Sequence, residues 1–207
     1  MVSSVRSLKR LVYLISPNKI YSNFYQDLEK VLSSKKVSFF QLRLKNKSKN
    51  LIIKIAKKIK KITKKYKVKF IINDDSKLAK RVGADGCHIG QLDNTVISAR
   101  KDIKKKIIGV TCHNSRDLAL KASRDNADYL AFGSFFKSKL KLNTKKADLK
   151  ILFWAKKNIK KPIVVIGGIT DKNYKKLIKA GANYIAISTF IWNNPFLKPE
   201  IAIKKFK

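Results

Sequence analysis

Eight short runs rich in β-branched and aromatic residues recur along the chain, and their spacing limits the folds open to it. They lie at 11–16 (LVYLIS), 37–42 (VSFFQL), 68–72 (VKFII), 86–89 (GCHI), 107–111 (IIGVT), 128–133 (DYLAFG), 163–167 (IVVIG) and 184–188 (YIAIS). The stretches between them carry helical spacing and are long enough for crossover connections, which parallel strands require. Eight such units in 207 residues predict an α/β fold, a single (β/α)8 TIM barrel forming one domain over residues 1–207. An open doubly wound sheet fits less well. It would usually have fewer strands and a glycine-rich first turn, whereas the first run here ends in Ser16-Pro17-Asn18.

The intervening segments show why the chain is so basic. In LIIKIAKKIKKI, residues 51–62, the positions Ile52, Ile55, Ala56, Ile59 and Ile62 form one helical stripe, and lysine fills the rest. The 49 Lys and Arg against 13 Asp and Glu, a formal net charge of +36, are therefore read as solvated helix faces. Only seven of those cations are arginine, the residue that base and phosphate recognition favours, and no nucleic-acid module is present. The expectation is no specific nucleic acid as partner, with phosphorylated small molecules drawn to a positive surface. The apolar run after the basic N-terminal segment is too short for a signal peptide or a membrane span, so a cytoplasmic protein without a membrane partner is expected. Cys87-His88 and Cys112-His113 are adjacent pairs whose side chains point to opposite faces of a strand, a poor arrangement for chelating one ion.

A barrel of this kind builds its active site from the loops that follow its strands. After the second run, Gln41, Arg43 and Lys45 alternate and so share one face, presenting an amide and two cations to an anion. After the third and fourth come Asn73-Asp74-Asp75 and Gln91-Leu92-Asp93. On neighbouring parallel strands Asp74 and Asp93 would lie side by side, able to share Mg²⁺. Helix capping by Asp74, Asp75 or Asp93 is the alternative, since helical patterns follow both segments. The fifth run supplies Thr111 and His113. The sixth leads into the basic segment 133–141, able to close over an anionic ligand. After the seventh, Gly167-Gly168-Ile169-Thr170 predicts a helix capped by Thr170, and the eighth ends at Ile187-Ser188. These last two loops suit phosphate binding by backbone N–H groups. Two anion sites face each other across one barrel mouth.

The chain resembles the thiamine phosphate synthase family and its thiazole tautomerase relatives over about residues 11–190. The resemblance rests on QLRLK at 41–45, IIND at 71–74, GADGCHIGQLD at 83–93, IIGVTCHN at 107–114, ADYLAFGSFF at 127–136 and PIVVIGGIT at 162–170. It implies Mg²⁺-dependent joining of hydroxymethylpyrimidine diphosphate to thiazole phosphate, with pyrophosphate released. It also implies that Gln41, Arg43, Lys45 and Asn73 hold the pyrimidine diphosphate, that Asp74 and Asp93 bind Mg²⁺, and that Thr111 stands where serine is common. Lys141 would meet the departing diphosphate, and Ser138, Gly168, Ile187 and Ser188 would hold the thiazole phosphate. Arg43, Lys45 and Lys141 are the expected catalytic cations. The chain departs from the family at 137–141, where Lys137-Ser138-Lys139-Leu140-Lys141 replaces a Pro-Thr-x-Thr-Lys pattern and Leu140 lacks a hydroxyl. It departs again at Asp75, where arginine is frequent. A metal-independent tautomerase using His113, or an inactive barrel with a degenerate loop, are the alternatives.

Overall fold

The computed structural model describes residues 10–136 and 146–207. Eight parallel strands close into a barrel in sequence order: β1 (Val12–Ile15), β2 (Val37–Leu42), β3 (Lys69–Asn73), β4 (Gly86–Ile89), β5 (Ile107–His113), β6 (Tyr129–Gly133), β7 (Ile163–Ile166) and β8 (Tyr184–Ile187). The helices α1 (Phe24–Ser33), α2 (Lys49–Lys65), α3 (Ser76–Val82), α4 (Val96–Ile103), α5 (Arg116–Arg124), α6 (Leu149–Asn158) and α7 (Tyr174–Lys179) form the connections. After β8 come two short helices, α8 (Thr189–Trp192) and α9 (Pro199–Ala202), and a 3₁₀ turn at Ile203–Lys205. The ring is sealed by β1 against β8, with Val12 opposite Ile185 and Leu14 opposite Ile187.

The (β/α)8 expectation holds, and each strand falls on its expected run. β3 and β5 extend further than expected, to Asn73 and His113. Both strand faces are covered, so the strands read as near-continuous apolar runs. One face, with Leu14, Phe40, Ile72, Cys87 and Val165, packs on the helices. The other fills the barrel with Tyr13, Ile15, Tyr129, Ala131, Val164 and Ala186, flanked by Phe39 and Tyr184. On α2 the expected stripe is buried through Ile55, Ala56 and Ile59, whereas Ile52 and Ile62 are only half-buried at its edges. The Ser48 hydroxyl caps that helix by accepting from Leu51 N–H.

One glycine makes room for the interior. A Cβ on Gly109 would fall 1.8 Å from Cζ of Tyr129, so the bare backbone of β5 gives the Tyr129 ring its place inside the barrel. Gly109→Ala should therefore force that ring off its rotamer and lower stability by about 1–3 kcal/mol, measurable as a fall in the urea midpoint.

Candidate active site

The third and fourth strand ends separate capping from ligand chemistry. Asp75 is the cap of α3, accepting from Leu78 N–H at 2.8 Å, and Thr95 caps α4 through Ser98 N–H at 3.2 Å. Asp74 and Asp93 cap neither helix. Asp93 turns back to accept from Gly90 N–H at 2.6 Å. Asp74 takes the left-handed backbone with φ 65°, uncommon for a residue other than glycine, while its N–H continues the ladder to the His88 carbonyl at 2.7 Å. The two carboxyl groups then lie close enough for Asp93 to act on Asp74. Burial first, then the Asp93 hydrogen bond and charge, raise Asp74 to about 6, with Lys45 and Arg43 pulling the other way. Carboxylates this close share a proton or a cation, because two bare negative charges in partial burial repel.

On β2 the alternation places Phe40 and Leu42 toward the helices and Phe39 inward, so Gln41 takes the inward side, and Arg43 and Lys45 follow beyond the strand end. Gln41 is buried at 3 % exposure, Arg43 is half-buried and Lys45 exposed, a gradient from barrel floor to solvent. Ser16 at the end of β1 fixes where this segment leaves the sheet: its hydroxyl accepts from Arg43 N–H at 3.0 Å and donates to the Arg43 carbonyl at 3.4 Å. Asn73 ends β3 opposite His88.

Thr111 lies on β5, and its hydroxyl is 2.8 Å from Nε2 of His88. The other ring nitrogen, Nδ1, is 2.9 Å from the Tyr129 hydroxyl, which is itself 2.7 Å from the Tyr13 hydroxyl. Burial pushes His88 down to about 4, with Asp93 opposing and Arg43 adding to the shift, so the imidazole is neutral at ordinary pH. Sequence reasoning passed over His88 and both tyrosines as functional residues. Strand alternation carried the signal, since Cys87 packs against the helices and its neighbour must face inward. His113 instead ends β5 exposed, at φ 51°. Next to it the Asn114 side-chain oxygen accepts from Asp148 N–H at 3.3 Å, tying the segment before α6 to the β5 loop.

The phosphate-type loops differ in part from expectation. Gly167 and Gly168 adopt φ 107° and 59°, and a Cβ at Gly167 would sit 2.0 Å from Ser134 Oγ, so the base of the β6 loop packs directly on this turn. Thr170 is not a helix cap. Asn173 accepts from Thr170 N–H at 2.9 Å and donates to the Gly168 carbonyl at 3.0 Å, closing a turn that delays α7 to Tyr174. Ile187 is buried among the strands and helices, leaving only its backbone for a ligand. The half-buried Ser188 donates to the Ser16 carbonyl at 3.0 Å, linking the ends of β8 and β1. Ser138 and Lys141, with Lys137, Lys139 and Leu140, lie outside the described residues.

A closed parallel barrel with polar side chains gathered at the carboxyl ends of its strands defines a (β/α)8-barrel enzyme. The model of the family described as thiamine monophosphate synthase matches residues 12–191. The chain is 59 % identical over 200 residues to the thiamine-phosphate synthase of Pelagibacter ubique, covering 96 % of this chain and 97 % of that one. It is 40 % identical over 187 residues to the enzyme of the same name from Erythrobacter litoralis, covering 88 % of each chain. Among solved structures, thiamine phosphate pyrophosphorylase from Pyrococcus furiosus superposes with a TM-score of 0.85 at 26 % identity, over 95 % of this chain and 93 % of that one. The chain belongs to the thiamine monophosphate synthase family, a family of transferases.

The carboxylate pair has a measurable effect on stability. Between an ordinary aspartate value of about 4 and about 6, the native metal-free chain holds a proton on Asp74 that the unfolded chain has released. Stability contributed by this group is therefore present at low pH and lost as pH rises through that window. Asp74→Asn should remove this pH dependence and raise the melting temperature of the metal-free protein at pH 7.5, followed by circular dichroism in EDTA.

Proposed function

We propose that this enzyme joins 4-amino-2-methyl-5-hydroxymethylpyrimidine diphosphate to thiazole phosphate, forming thiamine phosphate and releasing pyrophosphate, and that it acts as one barrel domain in the cytoplasm. The observation that carries the site assignment is that Asp74 and Asp93 stand together at the strand ends, with burial and then Asp93 raising the Asp74 carboxyl, while their neighbours Asp75 and Thr95 do the capping. The donor chemistry fits Mg²⁺. Two carboxylates suit a hard cation that keeps several waters and takes phosphate oxygens for its other positions. Among the described residues no group of three or more His, Cys, Asp or Glu forms a denser cage. Asp74 and Asp93 would hold the ion, which when bound neutralises charge on the diphosphate.

Arg43 and Lys45 supply cations there, both lowering the Asp74 carboxyl against its burial. Gln41 and Asn73 stand at the strand ends beneath them, able to orient the pyrimidine, and Thr111 offers a hydroxyl. In the reaction the C–O bond to the diphosphate breaks and the electron pair leaves with it, giving a pyrimidine-stabilised cation. The thiazole nitrogen then forms the new C–N bond with its lone pair. Arg43, Lys45 and Lys141 stabilise the negative charge that grows on the leaving group, and holding both substrates in line lowers the entropic part of the barrier. The Gly168 turn, the Ile187 backbone and Ser188, with Ser138, form the thiazole-phosphate side. Phosphorylated small molecules are the partners this site serves. Among the described residues no helix is long and apolar enough to cross a membrane.

A coupling assay with both substrates should yield thiamine phosphate with Mg²⁺ and none with EDTA. Arg43→Ala and Asp93→Asn should each lower kcat by about 10²–10³-fold. A purified protein that makes no product would overturn the assignment. Isomerase activity that survives EDTA and disappears in His113→Ala would point instead to a thiazole tautomerase. Mg²⁺ should raise the melting temperature of the natural chain at pH 7.5 by mass action and leave Asp74→Asn nearly unmoved.

A further inference from the structure

Four side chains cross the barrel interior in one hydrogen-bonded line. The Tyr13 hydroxyl is 2.7 Å from that of Tyr129, the Tyr129 hydroxyl 2.9 Å from His88 Nδ1, and His88 Nε2 2.8 Å from Thr111 Oγ1. Each hydroxyl has a single proton to donate, and a neutral imidazole has one donor and one acceptor nitrogen, so the line has two polarities. In the first, Tyr13 donates to Tyr129, Tyr129 donates to Nδ1, and Nε2–H donates to Thr111. The proton left over is then the Thr111 hydroxyl hydrogen, on a half-buried residue at the strand end. In the second, every donation is reversed and the leftover proton sits on Tyr13.

The two ends differ in what can receive that proton. Tyr13 is 2 % exposed, stacked on Phe39 and edge-on to Tyr129, and among the described residues its hydroxyl has Tyr129 as its one hydrogen-bond partner. A buried donor with no acceptor carries a desolvation penalty that weights the polarities by on the order of ten- to a hundredfold. An imidazolium meets the same obstacle, because Nδ1–H would again push a proton onto Tyr13. The Thr111 carbonyl is meanwhile occupied by the Gln91 side-chain amide, which holds this strand end in place.

We propose that Tyr129, backed by Tyr13, is a positioning residue that holds His88 as the Nε2–H tautomer, so that the Thr111 hydroxyl hydrogen is left to be donated outward, to an acceptor atom of the bound substrate. The site thereby presents a hydrogen-bond donor to a phosphate oxygen or an unprotonated ring nitrogen at this point. The identity of the substrate rests on the reaction assigned above, whereas the polarity of the line stands on the barrel interior alone.

The chain has two histidines, so ¹⁵N chemical shifts of the full-length protein, assigned with His113→Gln, read the His88 tautomer directly. The natural chain should show Nδ1 unprotonated and Nε2 protonated, and Tyr129→Phe should give a mixture of tautomers. In the coupling assay Thr111→Ser should keep kcat/KM within about threefold, while Thr111→Val and Tyr129→Phe should each lower it about tenfold. The double variant should lose little more than Thr111→Val alone, because both act through one donor. Tyr13→Phe, which keeps the ring and removes the terminal hydroxyl, controls for a packing defect and should leave the Nε2–H form dominant. A natural chain with Nδ1–H or imidazolium, or losses that multiply in the double variant, would overturn the proposal. A protein inactive in coupling would overturn the reaction assignment and leave the tautomer signal to decide the relay.

Discussion

The closing ladder between β1 and β8 holds the rest of the molecule in register. Val12 opposite Ile185 and Leu14 opposite Ile187 turn an eight-stranded sheet into a ring, and a ring has no edge left to pair elsewhere. With period-two alternation, closure also decides which residues face the interior. Once Tyr13 is inside, Phe39 and Gln41 are inside on the next strand and His88, Thr111 and Tyr129 further round. The same ladder brings Ser16 and Ser188, far apart in sequence, within 3.0 Å at the mouth.

The interior filling has two characters. Its floor and walls are apolar and aromatic, with Tyr13, Phe39, Tyr129 and Tyr184 packed edge-on or stacked. Through this layer runs the polar line from Tyr13 to Thr111, with every intermediate group paired, as buried polar atoms require. Gly109 is the concession that lets it exist: the space its missing Cβ leaves is where the Tyr129 ring lies. A core detail at Gly109 thus supports, through Tyr129 and His88, a hydroxyl two residues further along the same strand.

Charge is arranged on a different scale. Lysine covers the outer helix faces, and on α2 the apolar stripe lies inward with the cations outward. That shell biases the whole surface toward anions without forming a site. The local field that matters is built by a few groups at the strand ends, where Arg43 and Lys45 offset the repulsion between Asp74 and Asp93. Placing two carboxylates together lowers the stability of the metal-free chain near neutral pH, a trade common at sites organised for a ligand rather than for folding.

Much of this was legible in the sequence, because local patterns report local chemistry. Eight apolar runs with helical spacers gave the barrel, and alternation put Gln41, Arg43 and Lys45 on one face. The pair Asp74 and Asp93 was visible only as two carboxylates that capping could explain equally well, since a cap and a ligand use the same residue types at the same strand-to-helix junction. Tertiary structure separated them by giving the caps to Asp75 and Thr95. The Thr170 cap failed for a related reason: the Asn173 side chain competes for the same backbone groups and shifts the helix start. His88 and Tyr129 escaped notice because each is one inward residue on a different strand, 41 positions apart. The sequence by itself determined the fold and the inventory of polar strand ends, since both depend on periodicity. Which of those ends meet, and which proton each carries, only the closed barrel decided, because it alone sets distances between residues that the chain keeps far apart.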